Sequence, residues 1–111
     1  MTEAQRARLE SMSRMGKDVR FKHKGRRGGH TMGRVEDEVY VMVNDYKHLL
    51  QRIRFLDGVS WDGSTHAYRS GYYTYDSDKT RIVWGQYTQF LTEKEYKALL
   101  GLARAKGWDV F

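Results

Sequence analysis

Cysteine and proline are both absent from this chain of 111 residues. Without cysteine, disulfides, thiol nucleophiles and cysteine-ligated zinc are all excluded. Without proline, reversals of the chain fall to glycine, aspartate and asparagine. Long hydrophobic runs are missing too. The longest, VYVMV at 39–43, is far too short to span a membrane. Residues 1–18, MTEAQRARLESMSRMGKD, lack the apolar middle of a secretory signal, so a cytoplasmic protein without membrane association is expected. There is no G-x-S-x-G elbow, no phosphate-loop lysine motif and no dinucleotide fingerprint. A non-enzymatic role is the expectation.

What is present starts with 40% hydrophobic and 14% aromatic residues, enough for one modest core and too much for a disordered tail. The net charge is +6, and its distribution is uneven. Residues 1–34 carry ten Lys and Arg against three acids, a balance of +7; residues 35–111 carry ten against eleven, a balance of −1. The whole excess sits in the first third. Cations crowded together in this way suit a polyanion, because each neutralised phosphate releases condensed counterions. The plainer alternative is a solvated, solubilising face.

Residues 1–16 are polar apart from a thin repeat of Leu9, Met12 and Met15, which suits a frayed helix or a flexible arm. Residues 17–111 read as a single domain. In DVRFKHK, Val19, Phe21 and His23 alternate with Arg20, Lys22 and Lys24, the pattern of a half-buried strand with one basic face. GRRGG at 25–29 breaks that strand and predicts a hairpin tip. A second strand follows over 31–43, with Val35, Val39, Val41 and Val43 on one parity and Asp37 misplaced among them, which predicts a bulge. Tyr46, Leu49, Leu50 and Ile53 then lie at helical spacing behind Asn44 and Asp45, predicting a short middle helix over 45–52.

HAYRSGYYTY and TRIVWGQYTQF are β-branched and aromatic runs around DSDK, an antiparallel hairpin. A four-residue loop pairs Tyr75 with Thr80, Tyr73 with Ile82, Gly71 with Trp84 and Arg69 with Gln86. Ile82, Trp84 and Tyr73 are expected to face the last helix. That helix opens on a Thr92/Glu95 capping box, carries Tyr96, Leu99, Leu100 and Ala103 as a stripe, and stops at Gly107. Trp108 is placed to fold back on Leu102 or Ala103, and Gly101 suggests a close packing contact. The expected fold is therefore α+β: a basic amino-terminal ribbon and an aromatic hairpin in a small antiparallel sheet, packed by a short middle helix and a carboxyl-terminal helix.

His23, His30, His48 and His66 are scattered without an i, i+4 pair, so neither a metal nor a cofactor is expected. Glu36, Asp37 and Glu38 point alternately to opposite faces and suit cross-strand pairing with Arg20 or Lys22 better than a nuclease metal site. The amino-terminal strand, basic loop and G-x-V strand resemble the start of a small KOW or Tudor-type barrel. GYYTYDSDKTRIVW is similar in texture to the late hairpin of bacterial mRNA-cleaving toxins. Neither pattern carries a specific signature, and no catalytic residue follows from either.

The reading is a module that binds RNA or single-stranded DNA. Arg20, Lys22, Lys24, Arg26, Arg27 and His30 would hold phosphates, since guanidinium forks match phosphate oxygens. Tyr68, Arg69, Tyr72, Arg81, Gln86 and Tyr87 would offer a sheet face on which bases stack. A buried Arg69 needs partners, so the alternative for Arg69 and Gln86 is that they line a pocket. A protein-interaction module, such as an inhibitor or accessory subunit, is the alternative, and a small metal-independent ribonuclease is the third.

Overall fold

The computed structural model describes residues 1–22, 30–56, 62–85 and 89–109. Its elements are α1 (Glu3–Ser11), β1 (Asp18–Lys22), β2 (His30–Val43), β3 (Tyr46–Phe55), β4 (His66–Tyr75), β5 (Ile82–Gly85) and α2 (Glu93–Ala105). The strands form one antiparallel sheet in the order β1-β2-β3-β4-β5, each beside its neighbour in sequence. This is the expected α+β class. Among the described residues no helix is long and apolar enough to cross a membrane.

The predicted middle helix is a strand. In β3 the buried residues include Lys47, Leu49, Gln51, Ile53 and Phe55, a strict period of two. Two of those five positions are Lys and Gln, which hides the alternation from a hydrophobicity count. His48 is buried as well, because β3 is the central strand and is covered on both faces where it passes Lys47–Leu50. Asn44 does not cap a helix; it takes φ 52° in the tight turn from β2 to β3, a conformation asparagine tolerates.

By internal contacts the chain groups into two compact units. The first comprises residues 1–13, 39–50 and 70–111. On one face of its sheet, Leu49, Tyr73 and Tyr75 pack with Leu9 of α1, joined by Tyr40, Met42, Ile82 and Trp84. On the other, Val39, Val41 and Leu50 pack with Leu99 and Ala103 of α2 and with Trp108. Ile82, Trp84 and Tyr73 therefore face α1 and not the last helix. The aromatic hairpin kept its parity; the helix expected to cover it was the wrong one.

The thin apolar repeat of residues 1–16 suits a frayed helix or a flexible arm. A helix is present, started by a capping box in which Gln5 N–H donates to Thr2 Oγ1 at 3.1 Å and Thr2 N–H donates to Gln5 Oε1 at 2.8 Å. Leu9 is 0% exposed, and the Tyr75 hydroxyl donates to the Gln5 carbonyl at 2.9 Å. At the far end Lys47 Nζ donates to the carbonyls of Glu10 and Met12 while sitting 4.4 Å from the centre of the Tyr40 ring. A buried ammonium thus meets the carbonyls that a helix end leaves without partners.

The α2 capping box is as predicted, with Glu95 N–H on Thr92 Oγ1 at 3.2 Å and Thr92 N–H on Glu95 Oε1 at 2.9 Å. Gly107 takes φ 84° past the helix end, and Trp108 N–H donates back to the Ala103 carbonyl at 3.1 Å. Trp108 is buried there beside Ala103, while Leu102 is exposed. Gly101 is exposed with nothing near a built Cβ, so no close contact explains it.

In the hairpin, Tyr75 pairs with Ile82, Tyr73 with Trp84 and Tyr72 with Gly85. The expected register is shifted by two residues, because the turn spans residues 76–81 rather than DSDK. Asp76 closes this longer turn: its Oδ1 accepts from Thr80 N–H at 2.9 Å, and Asp76 N–H donates to the Arg81 carbonyl at 2.9 Å. A shift of two preserves parity. Trp84 consequently still covers Gly71, from a diagonal position, and a Cβ on Gly71 would overlap its ring.

The second unit comprises residues 14–38 and 51–69. Its core is Val19, Val35 and Ile53. In β1 and β2, Asp18 pairs with Arg34, Arg20 with Met32 and Lys22 with His30. Val35 packs with Ile53 and Glu38 bonds to Gln51. β2 thus turns Val35 and Glu38, residues of opposite parity, toward one parity of β3, which requires a bulge between them.

Candidate functional site

Of the residues expected to hold phosphate, Arg20 lies exposed on β1. Lys22 and His30 are backbone partners at the ends of their strands. Lys24, Arg26 and Arg27 lie outside the described residues, and with them the expected hairpin tip and His23. Gln86 and Tyr87 of the stacking set lie outside them as well. Arg14, Lys17 and Arg34 are further exposed cations in the second unit, Arg34 paired with Asp18 at 2.9 Å.

Glu36 and Glu38 have partners on other segments than β1. Asp18 already stands opposite Arg34, and from there β1 runs away from residues 36–38 through Arg20, opposite Met32. Glu36 instead takes Arg52 at 2.7 Å, Arg54 at 3.5 Å and His66 at 3.1 Å. Glu38 accepts from Gln51 Nε2 at 2.6 Å and from Arg14 N–H at 3.2 Å. Gln51, 0% exposed, uses its oxygen to accept from Arg69 Nε at 2.9 Å. Arg69 is thereby built into a polar chain, Arg69–Gln51–Glu38, which supplies the partners that a half-buried guanidinium requires. Tyr68, its neighbour, is exposed.

Tyr72 belongs to the first unit and does not lie on an open platform. It shares the α2 side of the sheet with Tyr46 and His48, which alternation along β3 places on one face. The Tyr46 and His48 rings stack with centroids 5.8 Å apart, and Tyr72 meets Tyr46 edge-on at 5.3 Å and His48 at 5.9 Å. These rings line a pocket of about 530 Å³ together with Val43, Asn44, Phe90, Thr92 and Glu95. The core under α2 closes around Leu99 and Ala103; nearer the start of the helix, the lining turns to this pocket. Phe90 is 86% exposed there. Burial lowers the His48 pKa from its ordinary value, with Glu95 opposing, so the imidazole is neutral at pH 7. Arg81 sits in the turn before β5, exposed, its guanidinium 3.6 Å from Asp76.

Tyr72 and Arg81 lie in the first unit, Arg20, Tyr68 and Arg69 in the second. The sequence reading missed the Tyr46–His48–Tyr72 cluster. Its signal was the Y-x-H spacing in β3, invisible while that segment was taken for a helix. Compared with protein-family models, with curated proteins and with solved structures, the chain matches none.

Proposed function

We propose that the protein is a non-enzymatic, cytoplasmic nucleic-acid-binding module whose amino-terminal third grips the phosphate backbone of RNA or single-stranded DNA. One observation carries the reading: residues 14–27 hold seven Lys and Arg against Asp18 alone. The exposure of Arg14, Lys17 and Arg20 supports it. So does the contrast with Arg52, Arg54 and Arg69, whose charges are engaged by Glu36 or bound into the Gln51 chain. Arg69 is half-buried and bonded to Gln51, whereas Arg14, Lys17 and Arg20 are exposed to an external polyanion. Glycines at 25, 28 and 29 let the backbone approach a phosphate closely.

Charge reversal tests this directly. Arg26→Glu with Arg27→Glu should abolish binding of a labelled single-stranded oligonucleotide while leaving the thermal melt unchanged. Undiminished affinity in the double variant removes residues 26 and 27 from the interface. RNA incubated with the protein in chelator should remain intact; cleavage would favour the metal-independent ribonuclease instead.

A further inference from the structure

The pocket beside the start of α2 is lined by the rings of Tyr46, His48, Tyr72 and Phe90, with Asn44, Thr92 and Glu95 among its polar side chains. Its volume of about 530 Å³ lies within the ordinary range of small-molecule sites, roughly 300–1,000 Å³. Among the described residues no lysine or arginine lines it, and the formal charge they bring is that of the Glu95 carboxylate. An anionic ligand is therefore disfavoured, and a phosphate belongs elsewhere. Glu95 Oε1 is occupied by the Thr92 N–H, which leaves Oε2 as the acceptor toward a ligand. His48 is 4% exposed, and among the described residues its Nδ1 has no hydrogen-bond partner. Such a buried polar atom is costly alone and is relieved by a ligand group that bonds to it. Phe90 and Tyr46, both exposed, give the rim apolar aromatic surface.

We propose that this pocket binds a flat, uncharged nitrogen heterocycle of nucleobase size, stacked on Tyr46 and met edge-on by Tyr72, with a ring N–H donated to Glu95. Aromatic walls favour a planar π-system over an aliphatic ligand of equal size. A carboxylate accepts and does not donate, so it selects a ring edge that carries N–H groups. The inference stands beside the phosphate-binding reading and does not depend on it.

Guanosine is a suitable probe, since N1–H and the exocyclic amine lie together on one edge and the nucleoside has no phosphate. Titrated into the full chain, it should give saturable NMR shifts at Tyr46, His48 and Tyr72. 1-Methylguanosine, which lacks the N1–H, should bind about tenfold or more weakly. Glu95→Gln keeps the capping box, because glutamine serves there too, and should weaken guanosine by a similar factor with the melting temperature retained. Tyr46→Ala should also weaken it. Guanosine affinity should stay constant between about 50 and 200 mM salt, where phosphate binding falls steeply, so either reading can fail without the other. Absence of saturation, or equal binding of the two nucleosides together with unchanged affinity in Glu95→Gln, overturns the proposal.

Discussion

Lys47 is 3% exposed and holds the end of α1 through the Glu10 and Met12 carbonyls. Lys47→Ala leaves both acceptors without their charged donor, and the expected loss is about 1.5 to 3 kcal/mol in urea unfolding. Glu10 is drawn into the same corner, where the Tyr40 hydroxyl donates to its Oε2 at 2.6 Å; that bond raises the tyrosine pKa. His48 makes a different prediction. Its pKa is lowered from 6.5 by burial, so the unfolded chain takes up a proton at higher pH than the folded one. Stability should be full above pH 6.5 and decline as pH falls from there toward the lower folded value. His48→Gln should flatten that part of the profile; parallel profiles for wild type and variant would remove the imidazole as its cause. Asp76 acts in a separate window. The Thr80 and Arg81 N–H groups lower its pKa from 3.8, so its contribution persists until the pH drops below that value.

At the level of elements, Leu9 decides whether α1 is part of the fold. Leu9→Ala should cost about 2 to 5 kcal/mol, since the side chain is fully buried among Leu49, Tyr73 and Tyr75. Gly71 and Trp84 form a second test. Gly71→Ala should destabilise by about 1 to 3 kcal/mol through overlap with the indole, and much of that penalty should vanish when Trp84→Ala is present. Additive losses would show that the two do not compete for the same space. The capped helix α2, the long strand β2, the change of parity within its acidic stretch and the parity of the aromatic hairpin were legible, because each is written in local chemistry or in strict alternation. What covers each face was not. A sheet buried on both sides has no polar face to betray its orientation, and Leu9 alone is a weak signal for the helix that packs on Tyr73 and Tyr75. The strand β3 was hidden for a related reason: Lys47 and Gln51 occupy inward positions and are satisfied by carbonyls and by Glu38, contacts that no periodicity count includes. The register slipped by two because Asp76 stabilises a longer turn through its own side chain, which turn-length preference does not foresee.

For the whole molecule, the candidate site was legible as charge and not as geometry. Counting showed where the cationic excess lies; it could not show that Arg69 is spent on Gln51 while Arg20 faces outward. Tyr72 was singled out on composition, yet its neighbours Tyr46 and His48 emerge only once β3 is a strand. The central claim is that residues 14–27 engage phosphates, and the measurement closest to it is the affinity of the wild-type chain for a single-stranded oligonucleotide across a salt series. The account predicts a linear fall of log K with log salt, with a slope of about −0.7 for each phosphate contacted. Four contacts would give a slope near −3. No measurable binding at low salt, or an affinity that salt leaves unchanged, would contradict it.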